Sequence, residues 1–104
     1  MNQKDNKISQ AVKSAAQEFD PAASVVLFGS RARGDARADS DYDFLVLLKK
    51  PFDFRLKSQI LDRLYEVELA NNCVLGVMVE NADYWQMLEN TPIFSEIQKD
   101  GVAV

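Results

Sequence analysis

Two aspartates follow a glycine-serine pair at a set distance, in the order Gly29-Ser30, ten residues, Asp41-x-Asp43. Side chains alternate between the faces of a strand, so a strand over residues 42–48 would point both carboxylates the same way, about 7 Å apart along the backbone. Magnesium prefers oxygen ligands and is commonly held by one or two carboxylates together with water and substrate phosphates. Asp41 and Asp43 are therefore candidate catalytic residues and candidate ligands for Mg²⁺.

The residues that precede the aspartates suit a bound phosphate. Glycine at position 29 can adopt positive φ and bring its backbone against a ligand. The Ser30 hydroxyl and the N–H groups at the start of the following helical turn form a corner that binds anions. A second hydroxyl, that of Ser40, lies next to the aspartate pair. We predict that Gly29, Ser30 and Ser40 bind a nucleotide.

Three arginines lie between the two halves of this motif: Arg31, Arg33 and Arg37. Guanidinium groups make bidentate contacts with phosphate, and we favour Arg33 as a nucleotide-binding residue. The alternative is a solvated face on which these arginines pair with Asp35 and Asp39, and such surface ion pairs contribute little energy. The aspartate pair has its own alternative, because aspartates before a strand commonly cap turns.

Composition excludes several other functions. The formal net charge of −4 argues against general nucleic-acid binding. A single cysteine, Cys73, and no histidine leave no internal disulfide and no zinc site, so a metal must be held by oxygen. No apolar run approaches the roughly 18–20 residues of a membrane span, and the polar N-terminal segment predicts a cytoplasmic protein. The P-loop and GxGxxG motifs are absent.

The spacing of apolar residues predicts one two-layer α/β domain over residues 1–104, in which helices pack against a short sheet. Helices are predicted over 5–19 and 53–71, from Asn81, and from Pro92 to Gly101; strands are predicted over 24–28, 42–48 and 73–79. The candidate site then lies in the connection between the first two strands.

The stretch "GSRARGDARADSDYD" resembles the signature of the minimal nucleotidyltransferases of the DNA polymerase beta superfamily. The resemblance covers essentially the whole chain and implies their two-layer α/β fold with a short mixed sheet. It implies that Gly29 and Ser30 hold the triphosphate of ATP, that Asp41 and Asp43 bind Mg²⁺, and that Arg33 helps to position phosphate. The implied reaction is transfer of a nucleotidyl group to an acceptor hydroxyl.

Small members of this kind are similar to antitoxins encoded beside a HEPN-domain protein, which transfer AMP from ATP to a tyrosine of that partner. The resemblance therefore implies a HEPN-domain partner and a hetero- or homo-oligomer. The alternative is a binding module that neutralises such a partner by forming a complex, with nucleotide binding vestigial or regulatory.

One position departs from the pattern of the family. The third carboxylate of these enzymes lies on the third strand, and the position that aligns best here is Gly76. Glu80 lies four residues further on, roughly 13 Å along an extended strand, and Glu68 lies on the preceding helix. Loss of this acid should reduce chemistry more than nucleotide binding, because it helps to hold the metal that activates the attacking hydroxyl.

Overall fold

The computed structural model describes residues 2–51 and 53–104, so Met1 and Phe52 of the predicted domain lie outside the described residues. Five helices and four strands are formed within these ranges. In chain order they are α1 (Gln3–Gln17), β1 (Ser24–Phe28), α2 (Gly29–Arg33), β2 (Tyr42–Leu48), α3 (Phe54–Asn71), β3 (Leu75–Asn81), α4 (Ala82–Met87), α5 (Pro92–Asp100) and β4 (Val102–Ala103).

Local capping explains where the helices begin and end. The Asp53 carboxylate accepts a hydrogen bond from Arg55 N–H at 2.8 Å, so α3 begins where the sequence places a capping aspartate. Asn72 ends that helix in the left-handed conformation, with φ 47°. The first helix ends at Gln17, two residues short of the predicted boundary, because Asp20-Pro21 requires a turn.

The four strands form a mixed sheet in the order β3-β2-β1-β4. Strand β1 pairs antiparallel with β2 and with β4. Strand β3 runs parallel to β2, which requires a crossover, and α3 provides it. The predicted α/β fold with a short mixed sheet packed with helices is confirmed.

The two sheet faces carry different side chains because alternate residues of each strand point in opposite directions. One face packs against α1 and α3 in the larger hydrophobic cluster, whose members include Val25, Leu27, Phe44 and Val46. Leu45 on the other face packs with Trp85, Phe94 and Ile97 of α4 and α5. The two short helices thus cover part of the second face, and Asp43 shares that face with Leu45.

Two predictions about strands need correction. The third strand spans Leu75–Asn81, not 73–79. It starts later because Cys73 N–H bonds to the Glu68 carbonyl at the end of α3, and the Glu68 carboxylate then accepts Leu75 N–H at 2.7 Å. The sequence analysis also missed β4, whose two residues are too few to show an alternating pattern.

Across the described ranges, none of the helices has both the length and the apolar composition needed to cross a bilayer.

Asp20 is a buried carboxylate that joins two parts of the fold. It is 3% exposed, and it accepts hydrogen bonds from Ala22 N–H at 3.0 Å, Lys49 N–H at 2.8 Å and Lys50 N–H at 3.1 Å. Burial alone would raise its pKa, but the hydrogen bonds from Lys50, Ala22 and Lys49 outweigh burial and lower the pKa. Asp20 therefore fixes the turn before β1 to the end of β2.

We expect Asp20→Asn to reduce the free energy of unfolding by about 2–4 kcal/mol, because an amide cannot satisfy three backbone donors that meet a carboxylate. Because the pKa of Asp20 is lower in the native state than in the unfolded state, its carboxylate stabilises the fold at pH values above the unfolded pKa. This stabilisation is lost as the pH falls through the native pKa. The difference in free energy of unfolding between the wild type and Asp20→Asn should therefore decrease as the pH is lowered from 7 to 3. Urea unfolding at both pH values measures it, with exposed Asp62→Asn as the control; an equal loss in both variants would contradict the assignment.

Candidate functional site

Helix α2 is a single turn with a glycine at each end. Gly29 begins it directly after β1 with φ +72°, and Gly34 ends it with φ +84°. Both values lie in the left-handed region that side chains other than glycine rarely adopt. The chain can therefore turn sharply at the end of β1, as the sequence predicted for Gly29, and present the backbone and hydroxyl of Ser30 there.

Arg31 holds the loop that leads to the aspartate pair. Its guanidinium donates to the Ser40 carbonyl at 2.8 Å and to the Ala38 carbonyl at 3.2 Å. It also lies 4.2 Å from the ring centre of Tyr42 and 3.7 Å from the Asp5 carboxylate. With its side chain 9% exposed, Arg31 is a structural residue of this loop.

A second contact fixes the start of β2. The Tyr42 hydroxyl donates a hydrogen bond to the Asp5 carboxylate on α1 at 2.5 Å. Burial, with this hydrogen bond second, raises the pKa of Tyr42 to about 12, so the phenol stays protonated at physiological pH. Tyr42 separates the two aspartates in sequence, so its burial turns its neighbours to the other side of the strand.

The carboxylate of Asp43 lies against backbone on both neighbouring strands. Asp43 pairs with Phe28 of β1 and with Gly76 of β3. A Cβ atom added to Gly76 would lie 2.9 Å from Asp43 Oδ1, and one added to Gly29 would overlap Oδ2. The carboxylate thus occupies space that side chains at positions 29 and 76 would need.

Three charged groups influence the Asp43 carboxylate. Burial raises the pKa of Asp43, the neighbouring Asp41 carboxylate raises it further, the charge of Arg33 lowers it, and Glu96 of α5 raises it. Asp41 is exposed and Asp43 half-buried. Sequence reasoning missed Glu96, because only the packing of α5 brings it near the site.

The donor set fits magnesium. Within residues 2–51 and 53–104, neither the Asp41 nor the Asp43 carboxylate has a hydrogen-bond or ion-pair partner, although the charge of Arg33 lowers the pKa of Asp43. The described residues contain no group of three His, Cys, Asp or Glu side chains placed to hold a metal. Two carboxylates leave the remaining coordination positions to water and phosphate. This arrangement suits Mg²⁺, which is seldom bound by protein ligands alone.

The other predicted nucleotide-binding residues lie in the same connection. The Ser40 hydroxyl oxygen accepts a hydrogen bond from Arg37 N–H at 2.8 Å, which leaves its proton free to be donated. Arg33 pairs with Asp35 at 3.2 Å and approaches Asp100 of α5 at 3.7 Å. The ion pair with Asp35 matches the alternative we considered for the arginines, while the influence of Arg33 on Asp43 places its charge at the site.

The third strand supplies no acid beside Asp43. Gly76 is its partner in the parallel pair, and Glu80 pairs with Leu47 toward the far end of the strand. Glu80 there lines a surface cavity of about 670 Å³. The Glu68 carboxylate is engaged by Leu75 N–H. Neither glutamate therefore takes the position of the third carboxylate.

Comparisons with known proteins agree with this geometry. A family model described as "Nucleotidyltransferase domain" matches residues 6–98. Among solved structures, the chain is similar to one described as "Crystal structure of the toxin-antitoxin with AMP-PNP", with a TM-score of 0.61 and 16% sequence identity, over 91% of this chain and 70% of that one. This similarity shows a shared fold. No curated protein matches the chain.

We expect Gly29→Ala to lower the free energy of unfolding by about 2–4 kcal/mol, because it combines left-handed backbone strain with displacement of Asp43. Gly34→Ala is a matched control: it has the same positive φ, but nothing lies within 4 Å of the added methyl group. It should cost only about 1–2 kcal/mol. Equal losses on urea unfolding would contradict the close approach between Gly29 and Asp43.

We expect Asp43→Asn to raise the melting temperature of the metal-free protein by roughly 2–4 °C at pH 7. Because the pKa of Asp43 is higher in the native state than in the unfolded state, protonated Asp43 stabilises the fold fully at pH values below the unfolded pKa. This stabilisation is lost as the pH rises through the native pKa. The melting temperature of the wild type should therefore approach that of Asp43→Asn as the pH falls toward 4. Thermal unfolding in EDTA measures this, with Asp39→Asn as the control; a lower melting temperature for Asp43→Asn would show that its charge stabilises the apo fold.

Proposed function

The chain belongs to the nucleotidyltransferase domain family, and from this we propose that it is a Mg²⁺-dependent enzyme that transfers AMP from ATP to an acceptor hydroxyl. The observation that carries the proposal is the position of Asp43, beside Asp41 and in contact with the glycine that begins α2. It supports a cation and a phosphate bound side by side, the layout that nucleotidyl transfer requires.

Each group has a definite role in this reaction. Asp41 and Asp43 would hold Mg²⁺, which when bound neutralises charge on the phosphates. Ser30 and the adjacent backbone N–H groups would orient the β- and γ-phosphates, with Ser40 and Arg33 as further donors. The acceptor hydroxyl oxygen attacks the α-phosphorus in line and loses its proton to solvent, while the bond from the α-phosphorus to the oxygen that bridges to the β-phosphate breaks and pyrophosphate leaves. Positioning supplies most of the catalysis.

We further propose that the acceptor is a tyrosine of a HEPN-domain partner and that the chain acts as its antitoxin. The solved structure with the similar fold is a toxin-antitoxin with AMP-PNP, which supports both a protein partner and a nucleotide. The exposure of Asp41 is consistent with an acceptor that approaches from a second protein. A hetero-oligomer would then complete the acceptor side of the site.

The second candidate is a nucleotide-binding module that neutralises its partner by forming a complex. Gly76 favours it, because no acid of β3 lies beside Asp43 to help hold a second metal. The unpaired carboxylates favour the enzyme, since a purely steric partner has no physical need for adjacent acids whose repulsion costs stability without a cation.

Intact-mass measurement on the chain, Mg-ATP and the product of the neighbouring gene should distinguish these candidates. The enzyme predicts added adenylyl units on the partner, lost in Asp41→Asn and retained in Asp39→Asn, a control from the same loop. A tight complex with an unmodified partner would support the module.

Both candidates predict that Mg-ATP raises the melting temperature, because a ligand that binds only the native state stabilises it by about 2.7 kcal/mol at one hundred times its Kd. No shift at saturating Mg-ATP would contradict both.

A further inference from the structure

The Arg33 side chain is held by two carboxylates that come from different parts of the chain. Its Nε donates to Asp35 Oδ2 at 3.2 Å, and its Nη1 lies 3.7 Å from Asp100 Oδ2. The Asp35 side chain is 61% exposed and that of Asp100 only 20%. Asp100, at the end of α5, is therefore the better shielded partner, and it joins the candidate site to the C-terminal helix.

The pairing of β4 with β1 fixes the position of Asp100. Leu27 pairs with Val102 in the antiparallel direction, so the residues just before β4 lie toward the end of β1 at which α2 begins. Gly101 reinforces this, because its N–H donates to the Ile97 carbonyl at 2.7 Å and an added Cβ would lie 2.7 Å from Val26 Cγ1. The close approach leaves Asp100 little freedom relative to α2.

The charges around Arg33 explain what this contact does. The hydrogen bond and charge of Asp35 raise the pKa of Arg33, and Asp100 and Glu96 add to the effect, although the guanidinium is ionised at any physiological pH in either case. A guanidinium has five N–H donors in a rigid fork. Asp35 and Asp100 engage Nε and Nη1, and Nη2 has no hydrogen-bond partner among the described residues.

We propose that Asp100 is a positioning residue, which holds Arg33 beside Asp43 so that the free Nη2 group meets the triphosphate. The inference rests on the proposed function, since it assigns Arg33 to phosphate. Without Asp100, the exposed arginine would lose more rotamer freedom when it bound phosphate, which weakens binding. The C-terminal helix thereby contributes to nucleotide affinity without touching the nucleotide.

Isothermal titration of Mg-ATP into the wild type, Asp100→Asn, Asp100→Glu and Arg33→Ala tests the proposal. Asp100→Asn should raise Kd by about 2–5-fold, the range that a partly exposed ion pair supplies, and Asp100→Glu should restore part of the loss. In the Arg33→Ala background, Asp100→Asn should have no further effect, because its action passes through the arginine. Asp62→Asn on α3 is the control that should bind as the wild type does.

A nucleotide-free measurement separates this inference from the proposed function. Because Asp35 still binds Nε, side-chain ¹⁵N relaxation of Arg33 Nε should show a lower order parameter in Asp100→Asn than in the wild type, without complete loss of order. Unchanged Kd or tighter binding in Asp100→Asn, while the wild type binds, would overturn the inference alone. The same losses in both arginine backgrounds would also overturn it, as they indicate a merely structural role. A wild type that binds no Mg-ATP would overturn the proposed function and the role of Asp100 with it.

Discussion

A carboxylate that lies between two glycines, one directly after β1 and one on β3, is the constraint around which the rest of the site is arranged. Asp43 has glycine backbone on either side, Gly29 at the end of β1 and Gly76 on β3. The contacts of Tyr42 and Arg31 hold the start of β2 and the loop before it, which carry Asp43 and Asp41. The same crowding explains why an acid at position 76 would require Asp43 to move from its present position.

The structure supports this acid with contacts that lie outside the motif. Asp5 on α1 receives the Tyr42 hydroxyl, and Arg31 lies over the Tyr42 ring while it binds the loop carbonyls. These groups satisfy one another in the interior, where an unpaired charge would be costly. The Asp41 and Asp43 carboxylates have no such partner among the described residues, and the exposed Asp41 lies directly before β2, where a ligand can reach it.

Sequence patterns predicted the motif and its elements because the information is local. The Gly29-Ser30 pair, the aspartates and the two flanking strands lie within twenty-five residues, and the family match confirms the resemblance to nucleotidyltransferases. The roles of Glu96 and Asp100 could not be predicted, since each depends on the distant helix α5 folding back onto the motif. Arg31 contacts carbonyls of its own loop, and only its ion pair with Asp5 of α1 reaches a distant segment. The predicted start of β3 was wrong for a different reason: the Glu68 carboxylate accepts the Leu75 N–H across a short turn, and a hydrophobic pattern does not report such a side-chain contact.

Strand β4 has only two residues, both exposed, and pairs with β1 alone. Such short terminal pairings open at low free-energy cost, well before a domain unfolds globally. Local fraying of β4 would release the end of α5 and loosen the contact of Asp100 with Arg33, while the other three strands and the two aspartates stayed in place. Rapid amide exchange in residues 102–104 would then report on how rigidly Arg33 is held and leave the stability of the core unprobed.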